Sequence, residues 1–282
     1  VLGIVRQFLI ENPEGGVFYY DTEAAVTKDM MNDRGIDTSR VIVSEQTTVQ
    51  SFRTHVMRTL DRYLESDERP PILFVLDSLG QLSTEKEVSD ISEGKDTRDM
   101  TRAQLLRGTF RALSLKLAKA RAPMLVTNHV FDVIGSYMPT KDMGGGAGLK
   151  YAASQIVFLS KKKDKDGTDV VGNIIHCRMN KSRFTKENKM VDVRLSYDEG
   201  LDRYYGLLEL AEKYEIIKKV STRYELPDGT KMFGKQIMKD PEKYFTEDIM
   251  HQLELAAETE FKYGKVGIDE VDDTQESELQ DS

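Results

Sequence analysis

The chain has 282 residues, 39% of them hydrophobic, and a formal net charge of −8, so it is long enough to bury one large core and a small attached domain. No stretch approaches the about 18 uninterrupted apolar residues of a membrane span, and the apolar opening VLGIVRQFLI has no signal-peptide cleavage site behind it. The single cysteine, Cys177, excludes an internal disulfide and a thiolate zinc site, which favours a reducing compartment. We expect a cytoplasmic protein without membrane partners.

The negative charge is concentrated at the C-terminus. Residues 267–282 contain seven acidic residues and neither lysine nor arginine. Without them the chain carries a net charge of −1, so its acidic composition does not exclude a nucleic-acid partner. We expect this acidic tail to be disordered.

The first half of the chain alternates short apolar runs with segments of helical period. The runs have the length and the Val, Ile and aromatic content of buried strands, and they are VFYYD (17–21), VIVS (41–44), ILFVLD (72–77), MLVTNH (124–129) and QIVFLS (155–160). Apolar residues between them recur at three-to-four spacing over 49–63 and 106–117. This alternation predicts an α/β fold with a mostly parallel twisted sheet and helices on both faces.

The rhythm changes after residue 160. The segments between the later apolar runs are too short for helices, which predicts antiparallel strands extending the edge of the sheet. Two further helical segments separated by turns follow from about residue 207. We therefore predict a core domain over 1–206, a small C-terminal domain over 207–266 and the acidic tail over 267–282.

Polar residues end three of the predicted strands. Glu23 follows the first, Asp77 and Ser78 end ILFVLDS, and His129 follows Asn128. In open parallel sheets ligands bind at these carboxyl ends. ILFVLDSLG has the form of a Walker B strand, whose Asp orients a water on Mg²⁺ beside a bound nucleotide's phosphates, and Glu23 has the chemistry of a general base. Taken singly, Asp77 could be a turn residue and Glu23 a helix N-cap.

The sequence lacks the phosphate-binding motif GxxxxGK[ST]. Gly229, Gly234 and Lys235 have its spacing, but Gln236 replaces the hydroxyl residue, and the preceding turn sequence predicts a hairpin. The glycine cluster at 144–148 also lacks the motif and predicts a mobile loop. Because residues 1–12 look like the helix that a P-loop opens, we expect the cradle to precede residue 1, and we expect this chain alone to bind ATP weakly.

Two segments have the composition of single-stranded DNA contacts. The segment 131–148 is long, rich in glycine, and carries Phe131, Tyr137 and Lys141, which suits the phosphates and bases of a single strand. A second contact would use three cations that follow the Walker B strand, namely Lys95, Arg98 and Arg102. The alternative for the first segment is an ordinary active-site lid.

The order of these motifs resembles that of the RecA-type recombinases, most closely the UvsX recombinases of T-even-like phages. The resemblance covers nearly the whole chain, and the C-terminal region from about residue 215 departs from the family's pattern. It rests on FYYDTE, ILFVLDSLGQLSTEKE, DMTRAQLLRGTFRAL, PMLVTNHV, MGGGAGLKYAASQIVFL, the KSR of MNKSRFTKE, and DEGLDRYYGLLELA. It implies a RecA-like ATPase core that binds ATP and Mg²⁺.

The resemblance assigns a role to each candidate residue. Glu23 would activate the hydrolytic water, Asp77 with Ser78 would organise Mg²⁺, and His129 would sense the γ-phosphate. Lys181 and Arg183, otherwise ordinary solvated charges, would reach the ATP of the neighbouring protomer. Tyr205 would stack on adenine. The DNA-binding loops would include the glycines Gly144, Gly145 and Gly146.

The resemblance implies an ATP-dependent DNA recombinase. It would form a helical filament on single-stranded DNA, pair it with double-stranded DNA, and hydrolyse ATP when DNA is bound. Partners would include a phage recombination mediator and a single-strand-binding protein, in the cytoplasm of the host cell. Two alternatives stay open: a hexameric helicase of the same fold, and a catalytically silent mediator or filament paralogue.

Overall fold

The computed structural model describes residues 1–95, 101–132 and 141–262. The chain divides into two compact units, Val1–Ala153 and the residues from Ser154 onward. The acidic tail lies outside the described residues, as do the predicted DNA contacts Arg98 and Tyr137.

The first unit is built on a four-stranded parallel sheet. Its strands lie in the order β2–β1–β3–β4, with β1 and β3 in the middle. Their bounds are β1 Gly16–Asp21, β2 Val41–Glu45, β3 Ile72–Asp77 and β4 Met124–Val126. Four of the predicted runs therefore form strands of this sheet, and β1 and β3 are buried as predicted. Ile42 and Val43 of β2 are exposed, so the prediction of VIVS as a buried strand was wrong, and β4 ends at Val126, before the predicted end of its run.

Helices cover both faces of this sheet, as predicted. They are α1 Leu2–Glu11, α2 Lys28–Asn32, α3 Val49–Glu65, α4 Glu85–Ser92, α5 Arg102–Ala120 and α6 Gly146–Ala152. On one face, Val5 of α1 packs in a buried cluster with Tyr19 and Val75. On the other face, the ring of Phe52 in α3 meets the ring of Tyr20 edge-on, 5.1 Å between centroids.

Two helices that begin beyond the carboxyl edge of the sheet are fixed by threonine caps. The hydroxyl of Thr48 accepts a hydrogen bond from the amide of Ser51 at the start of α3. At the start of α4, Thr84 and Glu87 form a reciprocal capping box. Both caps satisfy amides that the first helical turn leaves without partners.

The glycine cluster at 144–148 is not a loop throughout. A two-stranded hairpin of β5 Val130–Asp132 and β6 Lys141–Met143 precedes it. Gly145 has φ +94° and Gly146 opens α6. The prediction of a loop up to residue 148 was wrong there, because Leu149 provides a buried anchor for a helical turn that glycine content alone does not indicate.

The second unit contains an antiparallel sheet of its own. Its strands are β7 Gln155–Asp166, β8 Asp169–Ser182, β9 Met190–Ser196 and β10 Gly200–Leu201, in the order β10–β9–β8–β7. The antiparallel strands were predicted, but as an extension of the parallel sheet; within the described residues, β7 pairs only with β8. The run QIVFLS alternates between half-buried and exposed residues, so its prediction as a buried strand was wrong.

Short elements complete the second unit. They are α7 Leu207–Lys213, β11 Lys218–Val220, β12 Arg223–Glu225, β13 Lys231–Met232, α8 Gly234–Ile237, α9 Pro241–Tyr244 and α10 Glu247–Phe261. They share a buried cluster that includes Leu208, Ile217 and Leu253. The hairpin predicted around Gly229 is confirmed by the β12–β13 pair. The domain boundary near residue 207 stays a prediction.

Candidate nucleotide site

The ends of β1 and β3 are tied together by backbone and side-chain hydrogen bonds. The strands run parallel in a register that pairs Asp21 with Asp77. Beyond that pair, the amide of Thr22 donates to the carbonyl of Asp77 at 2.9 Å. The hydroxyl of Thr22 accepts from the amide of Ser78 and donates to its carbonyl, both at 2.8 Å. The two predicted strand ends therefore converge on one point of the sheet edge.

Glu23 is held above this junction by a buried hydroxyl. Ser78, 3% exposed, donates from Oγ to Oε1 of Glu23 at 2.9 Å. Nε2 of His129 lies 3.7 Å from the same carboxylate oxygen. The Glu23 side chain is 39% exposed and that of His129 is 72% exposed, so both reach solvent where a ligand would enter. The structure thus brings together Glu23, Ser78 and His129 as the sequence predicted.

Two hydroxyl groups donate hydrogen bonds to the carboxylate of Asp77. Tyr19 donates from its phenol to Oδ2 at 2.6 Å, and Thr127 donates to Oδ1 at 2.5 Å. Burial, together with the bond to Asp77, raises the pKa of Tyr19 well above its ordinary value, so the phenol stays protonated and keeps donating. Sequence reasoning missed both residues. The parallel register could have indicated Thr127, since this residue follows the Leu76–Val126 pair and so lies beside Asp77.

Asp21, also missed, shapes the loop that carries Glu23. Its carboxylate is buried and accepts from the amide of Glu23 at 3.0 Å and from the amide of Val26 at 2.8 Å. Ala24 adopts φ +51° between them. A buried carboxylate whose oxygens hold local amides fixes a tight turn. The loop therefore turns immediately after β1 and leaves Glu23 at the sheet edge.

His129 is connected to the glycine segment. The side-chain amide of Asn128 donates to the carbonyl of Gly144 at 2.8 Å, and its oxygen accepts from the amide of His129 at 3.0 Å. The amide of Gly144 donates to the carbonyl of His129 at 3.4 Å. A Cβ built on Gly80 would lie 2.8 Å from Cδ2 of His129, so a side chain at position 80 would displace the imidazole from this position. The predicted sensor and the predicted DNA segment are thus in direct contact.

The predicted DNA contacts differ in their surroundings. Phe131 is exposed on β5 and Lys141 is exposed on β6. Lys95 forms an ion pair with Glu93. The guanidinium of Arg102 instead donates within the chain, to the carbonyls of Leu82, Gly80 and Leu79 at 2.9, 3.0 and 3.2 Å. Arg102 thereby fixes the 3-10 turn after β3, and a DNA contact by this residue stays a prediction.

Lys181 and Arg183 flank a buried serine in the second unit. The hydroxyl of Ser182 accepts from the amides of Phe184 and Thr185 at 3.1 and 2.9 Å, which folds the chain just beyond β8. Partial burial, followed by the nearby charge of Arg183, lowers the pKa of Lys181. The role of Lys181 and Arg183 at the ATP of a neighbouring protomer stays a prediction.

Tyr205 also lies in the second unit, just before α7. It is half-buried. Burial raises the pKa of its phenol, with Asp192 and Glu209 adding to the effect. The phenol is therefore neutral under ordinary conditions, as a ring that stacks on a base would be; its adenine role stays a prediction.

The site residues suit a hydrated magnesium ion on a nucleotide. Among the described residues there is no group of three His, Cys, Asp or Glu side chains that could cage a metal. Asp77, Ser78 and Glu23 instead supply two carboxylates and a hydroxyl, which match the waters that Mg²⁺ retains when phosphates bind it. The sequence contains no GK[ST] element, so the residues present provide the carboxylate side of such a site and not its phosphate cradle.

The chain is similar to known recombination proteins. The family model described as the RecA N-terminal domain matches residues 6–202. The chain is 29% identical over 218 residues to the recombination and repair protein of Enterobacteria phage T4, covering 77% of this chain and 55% of that protein. It is 25% identical over 236 residues to the protein RecA of Clavibacter michiganensis subsp. michiganensis, covering 81% and 63%. It therefore spans about half to two thirds of the length of these relatives.

A similar match is found to the protein RecA of Chloroherpeton thalassium. It is 26% identical over 228 residues, which cover 80% of this chain and 62% of that protein. None of the helices in the described parts of the chain is both long and apolar enough to cross a membrane.

Proposed function

Because the chain belongs to the RecA family, we propose that it is part of an ATP-dependent DNA recombinase that assembles on single-stranded DNA. The observation that carries the proposal is the convergence of Glu23, Asp77 and His129 at the carboxyl edge of the parallel sheet. This is the edge at which open α/β sheets bind their ligands. The names of the T4 and bacterial relatives support recombination as the process.

The proposed reaction is the hydrolysis of ATP by water. Glu23, exposed and held at one oxygen by Ser78, would orient the attacking water and accept its proton. Asp77 and Ser78 would hold the waters of the magnesium ion. When bound, Mg²⁺ supplies positive charge that neutralises the phosphate oxygens. Lys181 and Arg183 would add cationic charge to the site of a neighbouring protomer, and Tyr205 would stack on adenine.

Coupling between ATP and DNA would pass through Asn128. A group bound at Glu23 and His129 changes the surroundings of the imidazole, and His129 shares hydrogen bonds with Asn128 and Gly144. Gly144 borders the segment proposed to bind DNA together with Phe131 and Lys141. If ATP strengthens DNA binding through this contact, DNA must strengthen ATP binding by the same factor.

A strand-exchange assay with protein expressed from the complete gene tests the proposal. Circular single-stranded DNA and a homologous linear duplex should yield joint molecules only when ATP and Mg²⁺ are present. Unwinding of a duplex without homologous pairing would indicate a helicase instead. DNA binding without any ATP turnover would indicate a catalytically silent paralogue. Either result would contradict the proposal.

A further inference from the structure

Tyr19 is a fully buried side chain that forms a hydrogen bond with the candidate magnesium ligand, Asp77. Its ring lies in the cluster formed by Val5, Leu9 and Val75 and has no exposed surface. Its hydroxyl donates to a polar partner, Oδ2 of Asp77, at 2.6 Å. A phenylalanine would fill the same apolar space, so packing alone does not require the hydroxyl.

The sheet register explains why the phenol reaches Asp77. Tyr19 pairs with Val75, and Asp77 follows Val75 on the same face of the neighbouring strand. A diagonal neighbour on the same face is within reach of a long aromatic side chain. Thr127 approaches from the opposite side, because β4 pairs with β3 up to Leu76 and Val126. The carboxylate thus lies between two donors on two different strands.

The two bonds leave part of the carboxylate available. An ionised carboxyl has about four acceptor sites, and each oxygen of Asp77 uses one site for a hydroxyl. Asp77 is only half-buried, so the outer sites remain accessible from the sheet edge. Because two fixed donors hold the carboxylate, its rotation is restricted and its remaining acceptor sites keep a fixed direction.

We propose that Tyr19 and Thr127 are positioning residues that fix the orientation of the Asp77 carboxylate for the waters of the magnesium ion. The inference rests on the proposed function and adds to it the residues that set the affinity of the site for the metal. The neighbouring Tyr20 provides a matched comparison. It is equally buried, but its phenol lies 2.9 Å from Nδ1 of His55 and away from Asp77.

The first test is the Mg²⁺ dependence of DNA-stimulated ATP hydrolysis by the full-length protein. In Tyr19→Phe and in Thr127→Val, the Mg²⁺ concentration at half-maximal rate should rise about tenfold, the effect of losing one hydrogen bond to a charged group. Saturating Mg²⁺ should restore most of the rate in these variants but not in Asp77→Ala. Tyr20→Phe should keep the parent's Mg²⁺ dependence. An unchanged Mg²⁺ dependence in Tyr19→Phe would overturn the inference.

A second measurement is independent of activity. Urea unfolding gives the change in the free energy of unfolding for Tyr19→Phe, for Asp77→Ala and for the double variant. The two single changes should not sum to that of the double variant, because the residues interact. For the control pair Tyr20→Phe and Asp77→Ala, the single changes should sum to that of the double variant. Additive values for Tyr19 and Asp77 would overturn the inference even if ATP is hydrolysed. A protein without any ATPase activity would contradict the proposed function alone, and the unfolding cycle would still decide whether Tyr19 holds Asp77.

Discussion

The hydroxyl of Ser78 donates to the carboxylate of Glu23 at 2.9 Å, which joins the residue after β3 to the second residue after β1. Ser78 is buried and Glu23 is exposed, so a buried hydroxyl at the carboxyl edge of the sheet holds a carboxylate that faces solvent. A general base needs this combination, because it must keep a fixed direction and still meet a water. The relationship makes the role of Glu23 directly testable.

In the full-length protein, Glu23→Gln should lower DNA-stimulated ATP hydrolysis by about 10²- to 10⁴-fold, the usual effect of losing a general base. The amide oxygen of Gln can still accept from Ser78, so ATP-dependent assembly on DNA should persist. Phosphate release and light scattering measure the two properties. Glu65→Gln, at the far end of α3, is the control and should match the parent. Normal ATP turnover in Glu23→Gln would contradict the role of Glu23 as general base.

The assignment of Lys181 and Arg183 to a neighbour's site predicts complementation. Replacement of both by alanine should strongly reduce ATP hydrolysis by the full-length protein, as Glu23→Gln should. A mixture of the two variants should recover part of the rate, because some interfaces then combine an intact Glu23 with an intact cation pair. Removing the exposed Lys235 and Lys239 gives the same change in charge and should have little effect. No recovery on mixing would contradict action between protomers.

Glu260 should stabilise the second unit in a pH-dependent way. Hydrogen bonds from Lys189, Lys213 and Tyr214, in that order, lower the pKa of Glu260 from its ordinary 4.5 to about 2. Because the pKa is lower in the folded state, the ionised Glu260 contributes its full stabilisation of the fold above pH 4.5, the pKa in the unfolded chain. This contribution is lost as the pH falls towards 2.

The thermal midpoint of Glu260→Gln should therefore lie below that of the parent at pH 7. The difference should shrink as the pH falls below about 4.5. The exposed Glu254, two turns earlier on α10, supplies the control Glu254→Gln, which should match the parent throughout. A deficit that grows on acidification would contradict the assignment.

Two glycines on adjacent helices should respond oppositely to alanine. A Cβ on Gly148 of α6 would lie 2.5 Å from Cγ and 3.1 Å from Cα of Arg107 in α5, so Gly148→Ala should cost about 1–3 kcal/mol by forcing the helices apart. Among the described residues, apart from its chain neighbours and its own helix backbone, no atom lies within 4 Å of a Cβ on Gly108, so Gly108→Ala should stabilise the helix by about 0.5–1 kcal/mol. Urea unfolding measures both, and equal shifts would contradict the packing of α6 on α5.

The strand ends could be predicted because their signal is local. ILFVLDS and VFYYDTE each combine a buried run with a terminal carboxylate, and parallel pairing then brings Glu23 and Asp77 to the same edge. The pairing of QIVFLS could not be predicted this way. Its composition suits either sheet, and its long hairpin with β8 decides the outcome.

Local sequence patterns could not identify the residues that support the site. Tyr19 and Thr127 belong to apolar runs and contact Asp77 across 58 and 50 residues of sequence. Arg102 resembles an ordinary basic residue near a DNA loop, and only the structure shows three carbonyls around its guanidinium. In each case a long-range hydrogen bond fixes the role of a side chain whose sequence neighbours do not indicate it.

Electron microscopy of the protein, expressed from its complete gene, on single-stranded DNA tests the central claim most directly. With Mg²⁺ and a non-hydrolysable ATP analogue, we expect continuous helical filaments that are longer per nucleotide than those formed without nucleotide. Closed rings, or DNA coated identically with and without the analogue, would contradict a recombinase that holds its nucleotide between protomers.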